Sequence, residues 1–450
     1  MMSFNSYEFI FVFLPIVLVI FFTLPRKFAL SWLILSSIFF YGFMDWRYVP
    51  LLLLSVCVNY FVGKMIESTS AKKLWLYSVI AFNFGVLCLF KCRGVLPPGI
   101  SFYTFTQTAY IIDVYRNTVK SPSLLEYSGY VMFFPHITSG PITDSKKFLP
   151  AINEMFTPNY ENIARGITLF VLGMFKKVCI ADMIARDVNT MFMNAGILTF
   201  FEAWTAALSY SVQLYFDFSG YSDMALGLGL MLNMKLPENF ASPYKSTSII
   251  DFWRRWHMSL GAWIKNYLYI PLGGSREGDF RRTRNVILCM LFVGIWHGTG
   301  WTFALWGLAH GIMLAVNHQW RRLGVKIPGV LSWAVTFLCV VVLWVVFRAG
   351  SVSEAGKIIS AMFDVRHMVL PERLAKYLGF LCNYGVSFGV LSGNRKILIT
   401  LLAVVLFCPN TKQILERFRP SAVWVLVVVG LAVVSFVNFS GISDFLYFRF

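Results

Sequence analysis

Long apolar runs alternate with short basic clusters along this sequence, and that pattern limits most strongly what the chain can fold into. Crossing the hydrocarbon core of a bilayer takes about 20 helical residues. Apolar runs near that length lie at 8–24, 29–43, 48–63, 74–90, 163–181, 198–216, 301–318, 328–347, 397–408 and 421–438. Only 14% of the residues are charged, against about 25% in a soluble domain. The sequence therefore predicts an all-α integral membrane protein that crosses the bilayer many times, as a single domain over residues 1–450.

The basic residues lie between the apolar runs and not along one continuous stripe. The formal net charge is +17, and Lys72-Lys73, Arg281-Arg282 and Arg321-Arg322 are examples of the clusters. Such clusters are typical of cytoplasmic loops, whereas a nucleic-acid site needs a continuous basic surface. We therefore expect no nucleic-acid partner, and only unspecific attraction to anionic membrane lipid.

The first apolar run predicts the orientation of the chain. Glu8 lies at its start, and Arg26 and Lys27 follow it. A secretory signal would carry its positive charge in front and a small-residue cleavage site behind. We expect a retained first span with the N-terminus outside the cytoplasm. Strict alternation of inside and outside fails beyond about residue 90, because Lys91 and Arg93 conflict with it.

Three apolar segments are too short or too interrupted to cross the bilayer cleanly. They are 99–113, 125–142 with its two prolines, and 249–274 with its many charges. Irregular backbone at membrane depth is tolerated only where protein or a water-filled cavity covers it. These segments therefore predict re-entrant or interfacial pieces around an internal cavity.

Several common kinds of site have no signature in this sequence. The eight cysteines are scattered singly, without metal-ligand spacing or a disulfide framework. We find no phosphate loop, dinucleotide fingerprint or serine-hydrolase elbow. The sequence predicts neither a bound metal nor a permanently bound cofactor.

His297 is the strongest candidate for chemistry. Residues 276–284 hold four arginines and are expected to be cytoplasmic. A helix from Asn285 to His297 would climb about 20 Å into the bilayer, where Gly298 and Gly300 turn the chain. A titratable side chain at that depth is unfavourable and indicates a functional site. We favour a general base over a core imidazole that is merely hydrogen-bonded across helices.

Two further histidines lie near this segment. His310 lies on the returning helix at a comparable depth, and packing between Ala309 and Gly311 is the favoured interpretation. His257 lies among alternating tryptophans and basic residues. Two interpretations of it stay open: an interfacial amphipathic helix, or a histidine beside His297 with Arg254 and Arg255 facing phosphates.

Two other features carry weaker hypotheses. The segment 216–223 holds two carboxylates six residues apart, which do not share a helix face. A structural turn or helix cap is the favoured interpretation. His136 lies among helix breakers near a membrane edge, and it is a candidate to line a cavity.

The sequence resembles the membrane-bound O-acyltransferase family, in particular its bacterial branch that includes the alginate O-acetylation membrane proteins. The most specific stretch is 215–311, and within it YFDFSGYSDMALGLGL, DFWRRWHMSLGAWIKNYLYIPLGG and IWHGTGWTFALWGLAHG. Further matches are PPGISFYTFTQTAYIIDVYR at 97–116, SGPI at 139–142, FRAGSVSEAGKIISAMF at 347–363 and the tail FLYFRF.

This resemblance implies a fold and a reaction. The fold is a ring of roughly 11 or more tilted transmembrane helices around a central funnel and tunnel, with its core motifs in 91–318. His297 matches the central active-site histidine and His257 a second histidine of related teichoic-acid D-alanylation proteins. Acetyl-CoA would arrive from the cytoplasm, with Arg254, Arg255 and Trp296 as candidate contacts. A periplasmic partner of the SGNH-esterase type and the polysaccharide export machinery would complete the transfer, at the bacterial inner membrane.

The chemistry expected of His297 is that of a general base. It would take the proton from a hydroxyl that attacks the thioester carbonyl, while His257, a tryptophan N–H or backbone N–H groups stabilise the oxyanion. A covalent acetyl-histidine relay is the alternative mechanism. The acceptor stays open among alginate, cellulose, another exopolysaccharide and peptidoglycan.

Two other functions compete with this one. D-Alanyl transfer to teichoic acid from a carrier-protein thioester is the nearer alternative. A transporter or flippase with a histidine proton relay is the alternative from another class.

Overall fold

The computed structural model describes residues 2–380, 387–389, 393–439 and 446. The helices of the N-terminal part are a π-helical turn (Glu8–Phe13), α1 (Leu14–Thr23), α2 (Arg26–Asp45), a 3₁₀ turn (Trp46–Tyr48), α3 (Val49–Ser68), α4 (Lys72–Cys92) and α5 (Ile100–Tyr115). The central part contains α6 (Leu124–Val131), α7 (Phe134–Ile137), α8 (Ser145–Ala151), a 3₁₀ turn (Ile152–Glu154), α9 (Tyr160–Phe175), a π-helical turn (Lys176–Ala181), α10 (Asp182–Met193), α11 (Phe200–Met231) and a 3₁₀ turn (Pro243–Lys245).

The C-terminal part is also helical. It contains α12 (Ile249–Arg255), α13 (Met258–Ile264), a π-helical turn (Lys265–Tyr269), α14 (Asp279–His297), α15 (Trp301–Leu323), α16 (Gly329–Arg348), α17 (Val352–Phe363), α18 (Ala375–Leu378), α19 (Arg395–Phe407), α20 (Thr411–Glu416) and α21 (Ala422–Val437), with 3₁₀ turns at Val365–His367 and Glu372–Leu374. Two three-residue strands, β1 (Val369–Pro371) and β2 (Ser387–Gly389), pair in parallel. The prediction of an all-α chain is therefore corrected at this one place, which lies in the sequence between α17 and α19.

Each predicted apolar run forms helix. Among the described residues, three segments are both long and apolar enough to cross a membrane, namely Arg26–Ser68, Lys72–Cys92 and Gly329–Arg348, while Glu8–Thr23 and Ala422–Val437 are shorter apolar helices. The interrupted segments form short buried helices, as α6, α7, α12 and α13 show. Proline at the second position of α7 and the left-handed backbone of His257 between α12 and α13 explain the breaks.

Apolar side chains cover the outside of the molecule and polar side chains fill parts of its interior. On α21, Val423 is 71% exposed and Leu426 is 72% exposed, whereas Gln107 and Asp113 on α5 are fully buried. Such a distribution is unfavourable in water, but it suits lipid, where polar groups must find partners inside the protein. The chain is a multi-pass membrane protein.

The segment 216–223 corrects a prediction. It is not a turn or a cap, since it lies inside α11, which runs unbroken for 32 residues. The carboxylates of Asp217 and Asp223 accept from Lys177 and Lys176, with 2.6 Å between nitrogen and oxygen in each pair. Because these buried charges are paired, the helix continues through the interior.

Helices α9 and α11 touch along their backbones. A Cβ atom on Gly173 would lie only 2.5 Å from the carbonyl oxygen of Gly220. Only glycine permits this approach, and it brings the lysines that follow α9 next to the carboxylates of α11.

Contacts between helix ends define one side of the molecule. Arg322 at the end of α15 forms an ion pair with Asp279 at the start of α14. Arg321 donates to Ser248 Oγ, just before α12, at 3.2 Å. We call this side the basic face, because it carries the arginine-rich loop 276–284.

Helices α4, α14 and α16 end together on the other side, which we call the opposite face. Lys91 near the end of α4 donates to the carbonyl of Trp296, and the ring of Phe347 near the end of α16 lies 5.3 Å from that of His297. Helices α14 and α16 have 19 and 20 residues, so each is about 30 Å long. The two faces are therefore about one hydrocarbon core apart.

Candidate active site

The hairpin of α14 and α15 places His297. A Cβ atom on Gly294 would lie 2.3 Å from the carbonyl oxygen of Phe303, and one on Gly307 would lie 2.4 Å from that of Met290. The two helix backbones therefore touch. His297 is the last residue of α14, where the extended backbone of Gly298 ends the helix, and its side chain is 3% exposed.

Aromatic rings surround the imidazole of His297. Ring centroids lie 4.7 Å away for Trp296, 5.5 Å for Trp306 and 5.3 Å for Phe347. The contacts with Trp306 and Phe347 are edge to face. These walls exclude water and leave the imidazole in an apolar environment, where every electrostatic interaction is stronger than in solution.

His257 also lies near Trp296. The ring centroids of His257 and Trp296 are 6.5 Å apart, and the ring of Trp296 contacts that of His297 as well. The backbone of His257 is left-handed, with φ at 44°, which is uncommon for a residue other than glycine. Strain of this kind persists where the surroundings demand it. The geometry connects His257 to His297 through Trp296, and a catalytic role for His257 stays a prediction.

Asn239 holds the segment around His257. Its Oδ1 lies 3.4 Å from His257 Nδ1 and accepts from Ser259 Oγ at 2.7 Å. Its Nδ2 donates to Ser222 Oγ on α11 at 3.2 Å. One amide thus connects the loop after α11 to the break between α12 and α13, a role that nothing in the sequence indicates.

Lys91 is a further residue of the site that the sequence analysis did not select. Its Nζ donates to the carbonyl of Trp296 and lies 5.9 Å from the centroid of the Trp296 ring. A cation at the end of α14 complements the helix dipole. The sequence did contain a signal for Lys91, because this lysine conflicts with a strict alternation of inside and outside loops. A lysine that a topology count places within the membrane indicates a functional role.

His310 contacts the other residues of the site through Trp306 and not through His297. It is fully buried, with Trp306 between it and His297 and a ring separation of 4.8 Å from Trp306. Trp253 Nε1 donates to His310 Nδ1 at 3.3 Å. This arrangement fits the favoured interpretation that His310 packs and orients the tryptophan cluster.

His136 is held by two hydrogen-bonding partners, which favours a structural role over the predicted place in a cavity wall. It is 4% exposed, and its ring nitrogens lie 2.8 Å from Thr143 Oγ1 and 2.7 Å from the Tyr130 carbonyl oxygen. Both ring nitrogens are therefore engaged in holding the segment between α6 and α8, and a saturated imidazole of this kind has a structural role.

The candidate contacts for acetyl-CoA are divided between two places. Arg254 and Arg255 end α12 on the basic face, where Arg254 is exposed and Arg255 Nε donates to Asp251 Oδ1 at 3.0 Å. The ring of Trp296 contacts both histidines, far from that face along α14. The structure does not bring the three residues together.

Two indole N–H groups beside His297 have no hydrogen-bond acceptor among the described residues. They belong to Trp296 and Trp306, which are 6% and 1% exposed. A buried donor without a partner is unfavourable by about 1–3 kcal/mol, and a native structure keeps few of them. Such donors suit a ligand oxygen that arrives during a reaction.

A small cavity lies beside Asn239. Its volume is about 120 Å³, and Lys235, Glu238, Lys412, Asp223 and Asn239 are among the residues that line it. Lys412 and Glu238 form an ion pair at 3.1 Å. Because Asn239 Oδ1 also lies 3.4 Å from His257 Nδ1, this residue connects the cavity to the segment around His257.

Comparisons with known proteins identify the family. The model of the membrane-bound O-acyltransferase family matches residues 28–352. A peptidoglycan O-acetyltransferase of Helicobacter pylori is 36% identical over 99% of this chain and 97% of its own length. The probable alginate O-acetylase AlgI of Pseudomonas aeruginosa is 39% identical over 82% of this chain and 76% of its own.

A more distant relative matches half of the chain. A teichoic acid D-alanyltransferase of Streptococcus thermophilus is 31% identical over 50% of this chain and 57% of its own length. The predictions of the family and of an acyl-transferring enzyme are thereby confirmed. This chain belongs to the membrane-bound O-acyltransferase family and is an O-acyltransferase.

Proposed function

We propose that this protein moves acetyl groups from cytoplasmic acetyl-CoA across the bacterial inner membrane for the O-acetylation of an extracytoplasmic polysaccharide. The observation that carries the proposal is His297, a buried imidazole at the meeting point of α4, α14 and α16, beside two indole N–H donors that lack acceptors among the described residues. The names of the full-length relatives support the acetyl group and the polymer.

The reaction begins when His297 takes the proton of the acceptor hydroxyl. The oxygen attacks the thioester carbonyl, and a tetrahedral oxyanion forms. Collapse of this intermediate breaks the carbon–sulfur bond, and the imidazolium returns its proton to the leaving thiolate of CoA. The alternative route forms acetyl-His297 first, and the acceptor oxygen then attacks that acyl group.

The oxyanion needs donors that are already in position. The Nε1–H groups of Trp296 and Trp306 are buried beside His297 and need no bond broken before they donate. His257 also lies near Trp296. We assign the stabilising role to the indoles first and to His257 second.

Acetyl-CoA would approach from the basic face. The phosphates of CoA suit Arg254 and Arg255, and the thioester arm would extend from them towards His257 and His297. Placing the basic face in the cytoplasm follows the positive-inside rule, and it leaves the N-terminus outside.

The acceptor side lies at the opposite face. Peptidoglycan and alginate are the two candidate polymers, because relatives named for each of them align over 99% and 82% of this chain. A periplasmic partner of the SGNH-esterase type and polysaccharide export machinery belong to this proposal. The proposal also includes a fold in which a ring of about 11 or more tilted helices surrounds a funnel and a tunnel.

D-Alanyl transfer to teichoic acid is the second candidate. Half of the chain aligns with teichoic acid D-alanyltransferases, and a basic face attracts an acidic carrier protein as well as a nucleotide. The relatives named above are acyl-transferring enzymes, so they give a transporter with a histidine relay no support.

The test is thioester turnover by the purified protein in nanodiscs. Acetyl-CoA is supplied, release of free CoA is followed, and wild type is compared with His297→Ala at matched folding. We expect release that the substitution abolishes. Turnover of a D-alanyl carrier thioester but not of acetyl-CoA would favour the second candidate. Equal turnover by both variants would remove His297 from the mechanism.

A further inference from the structure

A second and larger cavity opens at the opposite face. Its volume is about 590 Å³, and it lies between the end of α10 and the start of α17. The residues that line it include Asn189, Phe192, Arg348, Ser351, Glu354 and Lys357. A volume of this size is typical of a small-molecule site, and the acyl-transfer steps above do not use it.

Arg348 is fixed in the wall of this cavity. Its Nη2 donates to Asn189 Oδ1 at 2.7 Å. Its guanidinium lies 5.3 Å from the centroid of Phe192 and 6.0 Å from that of Tyr210. An amide and two rings thus hold the group in place, which reduces the entropy lost when it binds a ligand.

The charges of the cavity are not balanced by its own acid. Glu354 Oε2 accepts from the backbone N–H of Gly350 at 3.0 Å, so this carboxylate is committed to the start of α17. Among the described residues no carboxylate forms an ion pair with Arg348 or Lys357. The N-terminus of the 12-residue α17 adds positive potential. The cavity therefore favours an anion.

This cavity adjoins the candidate active site through one residue. Phe347 precedes Arg348 on α16, and its ring contacts both His297 and Trp306, at 5.3 Å and 4.9 Å between centroids. A group bound at Arg348 would thus lie beside the wall of the histidine site and on the face away from the basic loops.

We propose that this cavity binds the carboxylate of an acidic sugar chain, with Arg348 as its main contact and Lys357 as a second. A concave wall of hydroxyl, amide and aromatic groups suits a sugar better than the flatter surface of a protein partner. The inference rests on the proposed function for its claim that the bound chain is the acyl acceptor. Binding itself does not depend on acyl transfer.

The test measures binding of two oligosaccharides of equal length to the full chain in nanodiscs. One is a tetrasaccharide of uronic acids, and the other is a neutral cello-tetraose. We expect the wild type to prefer the uronate, with a preference that falls as salt rises. Arg348→Gln is expected to weaken uronate binding by about 10- to 100-fold and Arg348→Lys by less, while binding of the neutral chain changes little.

Arg47→Gln is the matched control, because Arg47 is an exposed arginine paired with Asp45 outside the cavity. Equal binding of both oligosaccharides by wild type, or unchanged uronate binding by Arg348→Gln, would overturn the proposal. An Arg348→Gln protein that still binds uronate but loses a co-purifying protein would also overturn the proposal, because the cavity would then be a protein-docking surface. The His297→Ala protein must bind uronate as wild type does. A failed acetyl-CoA assay with intact uronate preference would therefore contradict only the proposed function.

Discussion

The ammonium group of Lys91 donates a hydrogen bond to the backbone carbonyl of Trp296, one residue before His297. Lys91 is the charged residue in the last turn of α4. The contact places its ammonium group at the end of α14, next to the residue whose imidazole we assign as the base. A fixed cation in a water-excluded site stabilises developing negative charge. Lys91 thereby connects the packing of three helix ends to the chemistry of the site.

We expect Lys91→Met to lower CoA release by about tenfold or more, because the oxyanion would lose a nearby positive charge. Lys91→Arg keeps the charge and is expected to retain part of the rate. Arg93→Gln serves as the control, since Arg93 is exposed two residues further on. A Lys91→Met protein with wild-type turnover would show that the lysine only caps α14.

Trp306→Phe separates catalysis from packing. The substitution keeps an aromatic ring beside His297 and removes the buried N–H, so we expect turnover to fall by about 100-fold with little change in thermal stability. Trp320→Phe, on the exposed part of α15, is the control. If the N–H were merely tolerated, its removal would leave the rate unchanged and raise stability slightly.

Lys177→Met tests the buried ion pair of α11. It would leave the Asp217 carboxylate, which is 2% exposed, without its cation, and breaking such a pair costs about 3–5 kcal/mol. Thermal denaturation in detergent would measure this loss. The double variant Lys177→Met/Asp217→Asn is expected to recover part of it, because Asp182, the second partner of Lys177 at 2.8 Å, is still left without the lysine. A double variant as unstable as the single one would argue against the pair as the cause.

Gly294→Ala tests the contact between α14 and α15. The added Cβ would lie 2.3 Å from the Phe303 carbonyl oxygen, so the helices must separate, at a cost of about 1–3 kcal/mol. We expect CoA release per folded molecule to fall as well, since His297 would shift with its helix. Gly85→Ala on α4, where nothing lies within 4 Å, is the control. Equal activity in both variants would show that the hairpin tolerates the shift.

Much of the helical architecture follows from local sequence. The apolar runs at 29–43, 74–90 and 328–347 form α2, α4 and α16, because a long apolar run can satisfy its backbone in lipid only as a helix. The depth of His297 follows from counting residues between a basic loop and a glycine turn. The sequence alone therefore directs attention to the 215–311 region as the one that holds the candidate site.

Other features depend on partners that are distant in sequence. The sequence suggests that Asp217 and Asp223 lie in a turn, but in the structure Lys177 and Lys176 neutralise their carboxylates inside a helix. The sequence suggests a place in a cavity wall for His136, but in the structure Tyr130 and Thr143 engage both of its ring nitrogens. Lys91 lies 205 residues before Trp296, and no local pattern predicts that contact. The tail FLYFRF falls almost wholly outside the described residues, and 364–396 showed no motif.

The sequence by itself determined which segments form long apolar helices and, through its motifs, the family. Only the tertiary structure decided which residues meet, including Lys91 with Trp296 and Arg348 with its cavity. The physical reason is that hydropathy is a property of each segment and acts along the chain. The pairing of buried polar groups instead depends on which segments pack together, and many sequences with the same hydropathy would pair them differently.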